Sequence, residues 1–249
     1  MPDDAFADAR LAALYDVAEV DRDDLVHYER IVGEFDAASV LDLGCGTGTL
    51  ACRLAGAGLD VVGVDPARAS LNLAKSKDHT GNVRWLHGDA VAAATELATT
   101  SIDMALMTGN VAQVFLGDDW HETLVALRHL LRPGGHLVFE TRDPAYRGWE
   151  EWTRDRSHAI LESQIDGPVE TWVDLVEVAL PFVSFRWTYR FSDGTEQTSN
   201  STLRFRDRAE IEASLARAGY DIVDVRDAPD RPGKEFVFIA RNLASDTCC

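Results

Sequence analysis

The chain is poor in lysine. Only Lys75, Lys77 and Lys234 contribute to its 24 basic residues, a compositional bias rather than a functional signal. Basic residues are outnumbered by 42 acids, for a formal net charge of −18. A protein whose main task is to hold a phosphate backbone carries a clustered basic surplus, so the balance argues against a nucleic-acid partner. Cysteine is also scarce. Cys45, Cys52, Cys248 and Cys249 have no second Cys or His cluster at zinc-finger spacing, and neither a disulfide framework nor a metal site is expected. No apolar run approaches the ~18 residues of a membrane span. The segment MPDDAFADAR is acidic where a secretory leader is basic and then apolar, so the expectation is a soluble, cytoplasmic protein.

What is present is ordinary globular material, 46% hydrophobic and 27% charged over 249 residues, suited to one domain with an elaboration. Helical spacing marks residues 5–18 and 24–35 as two N-terminal helices. An alternation of strand and helix then begins. SVLDL enters a glycine turn and the helix-compatible TLACRLAGAG, and 59–65 reads as a buried strand followed by a helix with Pro66 at its start. Residues 82–89 and 101–110 read as strands, 118–131 as a helix stopped by Pro133, Gly134 and Gly135, and 136–142 as a fifth strand. Such alternation predicts a parallel sheet with helices on both faces. The rhythm breaks after Asp143. Residues 183–191 and 198–205 alternate like the arms of a hairpin, with 169–178 as a third strand; a helix over 206–220 and closing strands at 221–227 and 234–242 follow.

The strongest local signal is LDLGCGTG, residues 41–48. Glycines between a strand end and a helix start let backbone N–H groups approach a ligand, and the helix N-terminus favours negative groups. A dinucleotide enzyme spaces its glycines G-x-G-x-x-G, whereas here they are Gly44, Gly46 and Gly48 with Thr49 in the third position, a register better suited to a nucleoside with an amino-acid tail. Asp65 ends the second strand 21 residues beyond Gly44, where a carboxylate can accept from a ribose diol. Asp89 ends the third strand, placed to accept from an adenine amine while the Ala90 amide meets a ring nitrogen. Each acid also has a plain structural use, Asp65 as a helix cap ahead of Pro66 and Asp89 as a turn residue.

VLDLGCGTG, then VVGVDPA, then the GDA after VRWLH, then LRPGGHLVFET, resemble in order the motifs of the class I S-adenosylmethionine-dependent methyltransferases. The resemblance covers about residues 39–141 and resumes at 207–241. It implies a Rossmann-like, seven-stranded, mostly parallel sheet with the last strand antiparallel. It divides the chain into N-terminal helices (1–38), a cofactor-binding core (39–141 and 207–249) and an antiparallel β insert (142–206) acting as a lid over the acceptor. It further implies S-adenosyl-L-methionine as cofactor: Gly44, Cys45 and Gly46 at the methionine tail, Asp42 orienting that loop or its amino group, Asp65 and the adjoining Pro66 at the ribose, Asp89 and Ala90 at the adenine, and Thr108, Gly109 and Asn110 near the sulfonium.

Methyl transfer from a sulfonium needs mainly alignment and exclusion of water, so a dedicated base is optional. His27 is the weakly favoured proton acceptor, with Tyr28 beside it and Asp143 as a further choice. Gln113, Arg142 and Tyr146 are the candidates for acceptor contact. The expectation is a small-molecule N- or O-methyltransferase, monomeric or homodimeric, needing no metal. A methyltransferase acting on RNA or protein, a non-catalytic S-adenosylmethionine-binding protein and an NAD-dependent oxidoreductase stand as alternatives. The charge disfavours the RNA acceptor, TGNV stands where an N-P-P-Y-like tetrapeptide would fall, and the glycine spacing disfavours the oxidoreductase. The acidic surplus is heaviest in residues 1–38, with 11 acids against 3 bases, whereas residues 142–208 are nearer balance with 12 against 9. The Arg-bearing insert therefore leaves room for an anionic acceptor.

Overall fold

A computed structural model describes residues 2–18 and 22–243. The elements run α1 (Asp4–Ala7), α2 (Ala9–Ala18), α3 (Asp24–Glu34), β1 (Ser39–Leu43), α4 (Thr49–Gly56), β2 (Asp60–Asp65), α5 (Arg68–Lys77), β3 (Val83–His87), α6 (Ala90–Glu96) and β4 (Ile102–Met107). They continue with α7 (Asp119–Leu130), β5 (Leu131–Arg142), α8 (Arg154–Ser157), β6 (Ala159–Ser163), β7 (Gly167–Ala179), β8 (Phe182–Arg190), β9 (Glu196–Arg204), α9 (Arg208–Ala218), β10 (Tyr220–Asp227) and β11 (Glu235–Asn242). Seven strands form one sheet in the order β10-β11-β5-β4-β1-β2-β3, and β6-β7-β8-β9 form a second, antiparallel sheet. In the large sheet β11 runs antiparallel to both neighbours, β10 and β5, while β1 to β5 pair in parallel. This is the expected Rossmann-like sheet with an antiparallel last strand.

Alternation along each strand sends side chains to two layers. Leu41, Ala105, Leu137, Phe139 and Phe238 pack against α6, α7 and α9 on one face. Val40, Leu106, Val138, Val237 and Ile239 pack against α3 and α4 on the other. The strands are nearly unbroken apolar runs because both faces are covered. Helix ends follow from local chemistry: Asp207 accepts the Glu210 N–H at the start of α9, and Gly219, in the left-handed region at φ 87°, ends it.

Several boundaries differ from the sequence reading. The helix of residues 5–18 breaks at Asp8 into α1 and α2, and α6 and β6 fall where no element was expected. β5 begins at Leu131 rather than His136, so Pro133 to Gly135 lie inside the strand. A Cβ at Gly135 would stand 2.9 Å from the Asp103 carbonyl, and the β4–β5 register shifts between Ile102 and Met104. The glycines there serve a close strand crossing. β4 ends at Met107, leaving Thr108 to Asn110 as a turn. Cys248 and Cys249 lie outside the described residues.

The N-terminal segment does not act as one unit. α3 packs on the large sheet through Leu25, Tyr28, Ile31 and Val32. α1 and α2 instead form a strap between the core and the small sheet. Leu11 and Leu14 pack with Val169 and Phe191, the Ala5 N–H donates to Ser199 Oγ at 2.9 Å, and Ser70 Oγ of α5 donates to the Phe6 carbonyl at 3.0 Å. At the far end of α2, Asp16 accepts from the Thr47 hydroxyl in the glycine turn and from Lys77 Nζ at 2.7 Å.

Candidate functional site

In an open α/β sheet, ligands bind beyond the carboxyl ends of the strands where the strand order reverses. Here the chain runs outward from β1 to β3 and returns beside β1 as β4, so the crevice lies between the turns that follow β1 and β4. The turn after β1 holds Gly44 to Gly48. Gly44 has φ 72°, and a Cβ there would lie 2.5 Å from Val111 Cγ2 just beyond β4. Gly44 and Cys45 donate their N–H groups to the Val64 carbonyl at 2.8 and 3.1 Å. Gly46 donates to Asp65 Oδ2 at 2.8 Å, and Ala67 donates to Asp65 Oδ1 at 2.7 Å. Asp65 thus fastens the turn to the end of β2. At Gly46 a Cβ would meet nothing within 4 Å, so the open side of the loop is there.

Asp42 sits beneath this turn, buried, with Oδ1 lacking any partner. Burial first, and then the neighbouring Asp65 charge, push its pKa up to about 7, against a partial offset from Arg22. An unpaired buried carboxylate oxygen costs stability, and a donor supplied by a ligand would recover it. Burial also raises the Asp65 pKa, opposed by the amides of Ala67 and Gly46. Cys45 is part-buried in the loop, and burial raises its thiol pKa, as suits a small packing residue rather than a nucleophile.

The other residues proposed for the cofactor are less uniform. Asp89 is exposed and caps α6, its Oδ1 accepting the Ala92 N–H at 2.9 Å, while Ala90 is buried. Pro66 is exposed, with its carbonyl 3.0 Å from His87 Nε2. Thr108 is partly buried and Gly109 exposed at the crevice turn. Asn110 is buried in the left-handed region at φ 62°.

Asn110 leads into a buried polar cluster at the neighbouring strand ends. Its N–H donates to Glu140 Oε1 at 3.0 Å, and its Nδ2 donates to Glu235 Oε1 at 3.2 Å. The Tyr28 hydroxyl donates to the other oxygen of Glu140. Arg231 donates to Glu235 Oε1 at 2.8 Å, Arg142 Nε lies 3.6 Å from the same oxygen, and Arg142 NH1 donates to Gln113 Oε1 at 2.9 Å. The Arg142 guanidinium lies 5.7 Å from the Trp152 ring, which meets Phe185 of the insert at 4.7 Å. Burial and then the Glu235 charge raise the Glu140 pKa; burial and the Glu140 charge carry Tyr28 far above the ordinary phenol range.

The structure therefore brings together Tyr28, Asn110, Gln113 and Arg142 from the sequence reading; His27 touches this group only through its ring, 5.6 Å from that of Tyr28, and Tyr146 has its hydroxyl and ring contacts elsewhere. Tyr28 is spent on Glu140 and is unsuited to take a proton. His27 stands among Arg226, Asp230, Arg30 and Glu34, with burial and then Arg226 lowering its pKa, so its ring stays neutral; its Nε2 is buried without a partner. Tyr146 is exposed, its hydroxyl donating to Glu151 at 2.8 Å with Lys234 Nζ 4.8 Å from its ring. Asp143 donates its N–H to the Lys234 carbonyl and its Oδ1 accepts from Ala145 N, so it serves the turn. Sequence reasoning missed Glu140, Glu235 and Arg231. A carboxylate in the apolar run LVFETR was a visible signal for Glu140; Glu235 and Arg231 come together with it only through the β5–β11 register.

Residues 40–135 match a family described as methyltransferase domain. The chain is similar to the cypemycin N-terminal methyltransferase of Streptomyces sp, 37% identical over 114 residues, which span 44% of each protein. Its fold is similar to that of an S-adenosylmethionine-dependent methyltransferase from Clostridium acetobutylicum, with a TM-score of 0.73 at 17% identity over 94% of this chain and 98% of that one. It is also similar to the sugar N-methyltransferase KedS8 from Streptoalloteichus sp, with a TM-score of 0.72 at 19% identity over 92% and 93% of the two chains. The chain thus carries a methyltransferase domain at residues 40–135 and shares its fold with S-adenosylmethionine-dependent methyltransferases. It spans less than half the length of the curated relative above.

Proposed function

We propose that the protein transfers a methyl group from S-adenosyl-L-methionine to a small-molecule acceptor. The observation that carries this reading is Asp42 Oδ1, a buried carboxylate oxygen without a partner beneath a glycine turn whose outer side is open at Gly46. The residues present fit the cofactor. Asp42 would receive the amino group of the methionine tail, Gly44 to Gly46 would present backbone to that tail, and Asp65 has lone pairs left after its two amide bonds for a ribose hydroxyl. Asp89 would reach the adenine edge while still capping α6, and Thr108 to Asn110 would border the reacting end. Bound there, the cofactor supplies an electrophilic methyl on a sulfonium whose departure as a neutral thioether needs no acid.

The chain's own work is to bind, orient and dry the reactants, which is worth on the order of 7–11 kcal/mol when alignment is good. Asn110 joins the two halves of the site, because it follows β4 at the crevice and bonds both Glu140 and Glu235. Arg206 donates to the Ala112 and Phe115 carbonyls, which seats the end of the insert beside this edge and supports a role for it as a lid. The small-molecule acceptor is supported by the acidic surface and by the likeness to a sugar N-methyltransferase.

Calorimetry with S-adenosylmethionine, its demethylated product S-adenosylhomocysteine and NAD tests the cofactor. Binding of the first two and not the third is expected; NAD binding without S-adenosylmethionine binding overturns the reading. A metabolite panel with labelled cofactor then tests turnover, and binding with no product from any acceptor would favour a non-catalytic binding protein.

A further inference from the structure

We infer that Glu235, with Asn110 and Gln113, recognises an amino group of the acceptor that has an oxygen function beside it, so that the methyl goes to nitrogen. The inference rests on the methyl-transfer reading and deepens it. Glu140 and Glu235 are both buried at the same strand ends, yet they are used differently. Glu140 is saturated within the fold, with one oxygen on the Asn110 N–H and the other on the Tyr28 hydroxyl. Glu235 gathers its neighbours on one oxygen: Arg231 at 2.8 Å, Asn110 Nδ2 at 3.2 Å and Arg142 at 3.6 Å all address Oε1, and Oε2 has no partner.

The unpaired atoms around Glu235 have a definite pattern. Asn110 donates through Nδ2, and its Oδ1 is left over. Gln113 accepts through Oε1 from Arg142, and its Nε2 is left over. Two acceptors and one donor, on residues linked by hydrogen bonds and each at least nine-tenths buried, are therefore unsatisfied together. A buried polar atom left unpaired costs about 1–3 kcal/mol, so three in one cluster mark a place where a ligand supplies the partners. The complement is a group with two N–H donors next to an acceptor oxygen. An amine beside a hydroxyl or carbonyl meets it; a lone hydroxyl, with one hydrogen, fills one of the two acceptors.

The covering is consistent with exchange. The side chain of Glu235 is 2% exposed, that of Arg142 27% and that of Arg231 45%, so the carboxylate lies beneath two arginines. Arg142 makes the longest contact with it, 3.6 Å, and has Gln113 and the Trp152 face as other resting places. An amine competes for the position that Arg142 holds most weakly. It reacts in its neutral form: the nitrogen lone pair forms the N–C bond as the S–C bonding pair leaves on sulfur, and the methylammonium product releases its proton to water. Trp152 with Phe185 supplies an apolar wall for the rest of the acceptor.

The test uses the full chain saturated with S-adenosylhomocysteine for binding, and with labelled S-adenosylmethionine for turnover. Four matched pairs serve as probes: D-glucosamine and D-glucose, 2-aminoethanol and ethane-1,2-diol, alanine amide and lactamide, 2-amino-1-phenylethanol and 1-phenylethane-1,2-diol. At least one amine should bind and be methylated, with its alcohol about tenfold weaker or more, the worth of one charge-assisted hydrogen bond. Glu235→Gln should raise KM for that amine by about tenfold or more, with kcat changed less than about threefold and S-adenosylhomocysteine affinity unchanged. Preference for the alcohols, absence of binding by all four amines in protein that holds S-adenosylhomocysteine, or an unchanged KM in Glu235→Gln overturns the inference. Failure of S-adenosylhomocysteine itself to bind strikes the methyl-transfer reading instead. If Glu235→Gln does not fold, as a melting curve shows, Gln113→Leu takes its place, with a rise in KM at little change in kcat expected and an unchanged KM overturning the inference.

Discussion

The two edges of the crevice are built in opposite ways. At the end of β1 the ligand-facing chemistry lies within one short stretch, Asp42 to Gly46, completed by Asp65 at the next strand. At the ends of β5 and β11 it is assembled from Tyr28, Asn110, Gln113, Glu140, Arg142, Arg231 and Glu235, which only the sheet brings together. The first edge is made of backbone amides and one turn, and under the proposed function it tolerates little change because main-chain geometry would be the binding surface. The second is made of side chains in mutual hydrogen bonding, so single replacements there alter recognition while the fold persists. A binding edge common to many acceptors suits the first construction; an acceptor-specific edge suits the second.

The largest expected break in this contrast is Gly44→Ala. The added Cβ meets Val111 at 2.5 Å from a left-handed backbone, and left-handed strain plus overpacking cost about 2–4 kcal/mol. Calorimetry should show S-adenosylhomocysteine affinity falling by about 100-fold. Asp65→Ala should come next. It releases the Gly46 and Ala67 amides, costing about 1–3 kcal/mol, and removes the ribose contact, so affinity should fall by about 10- to 100-fold; an unchanged affinity removes that assignment. On the other edge, Tyr28→Phe leaves a Glu140 oxygen unpaired and should cost about 1–3 kcal/mol in denaturant unfolding while S-adenosylhomocysteine affinity is nearly unchanged. Equal losses of cofactor affinity from Tyr28→Phe and Asp65→Ala would erase the division.

A further break is a slope with pH. The folded-state pKa of Asp42 is about 7, against 3.8 for the free group. Between these values the folded chain keeps a proton that the unfolded chain has lost, so stability should fall as pH rises through the window. Asp42→Asn should flatten that part of the profile, measured as the denaturant midpoint against pH.

The same contrast explains how much was legible in the sequence. Strand-to-helix alternation and the glycine turn are local signals, so the parallel sheet and the loop from Asp42 to Gly46 could be read directly, whereas the antiparallel last strand followed from the resemblance to a family. Asp89 shows the limit of that reading, because an acid at a strand end and an acid capping the next helix look alike until Ala92 is seen to donate to it. Arg142 and Gln113 were visible as residues, but their bond was not. Glu235 stands opposite Arg142 only through an antiparallel register set by the whole β5–β11 pairing, which no local spacing encodes. The strap was hidden for a related reason. Its helices were legible from their spacing, but their partners Thr47, Ser70 and Ser199 lie far along the chain.

That strap joins two distant parts of the molecule. Asp16 at one end of α2 holds the glycine turn, while Ala5 of α1 and Leu11 of α2 hold the insert sheet, so the turn proposed for the cofactor and the sheet proposed as a lid share a fastener. Undoing it at either end withdraws support from the other. A replacement at Asp16 should therefore register in the protection of Ser199 and Val169 against hydrogen exchange, well away from the residue changed.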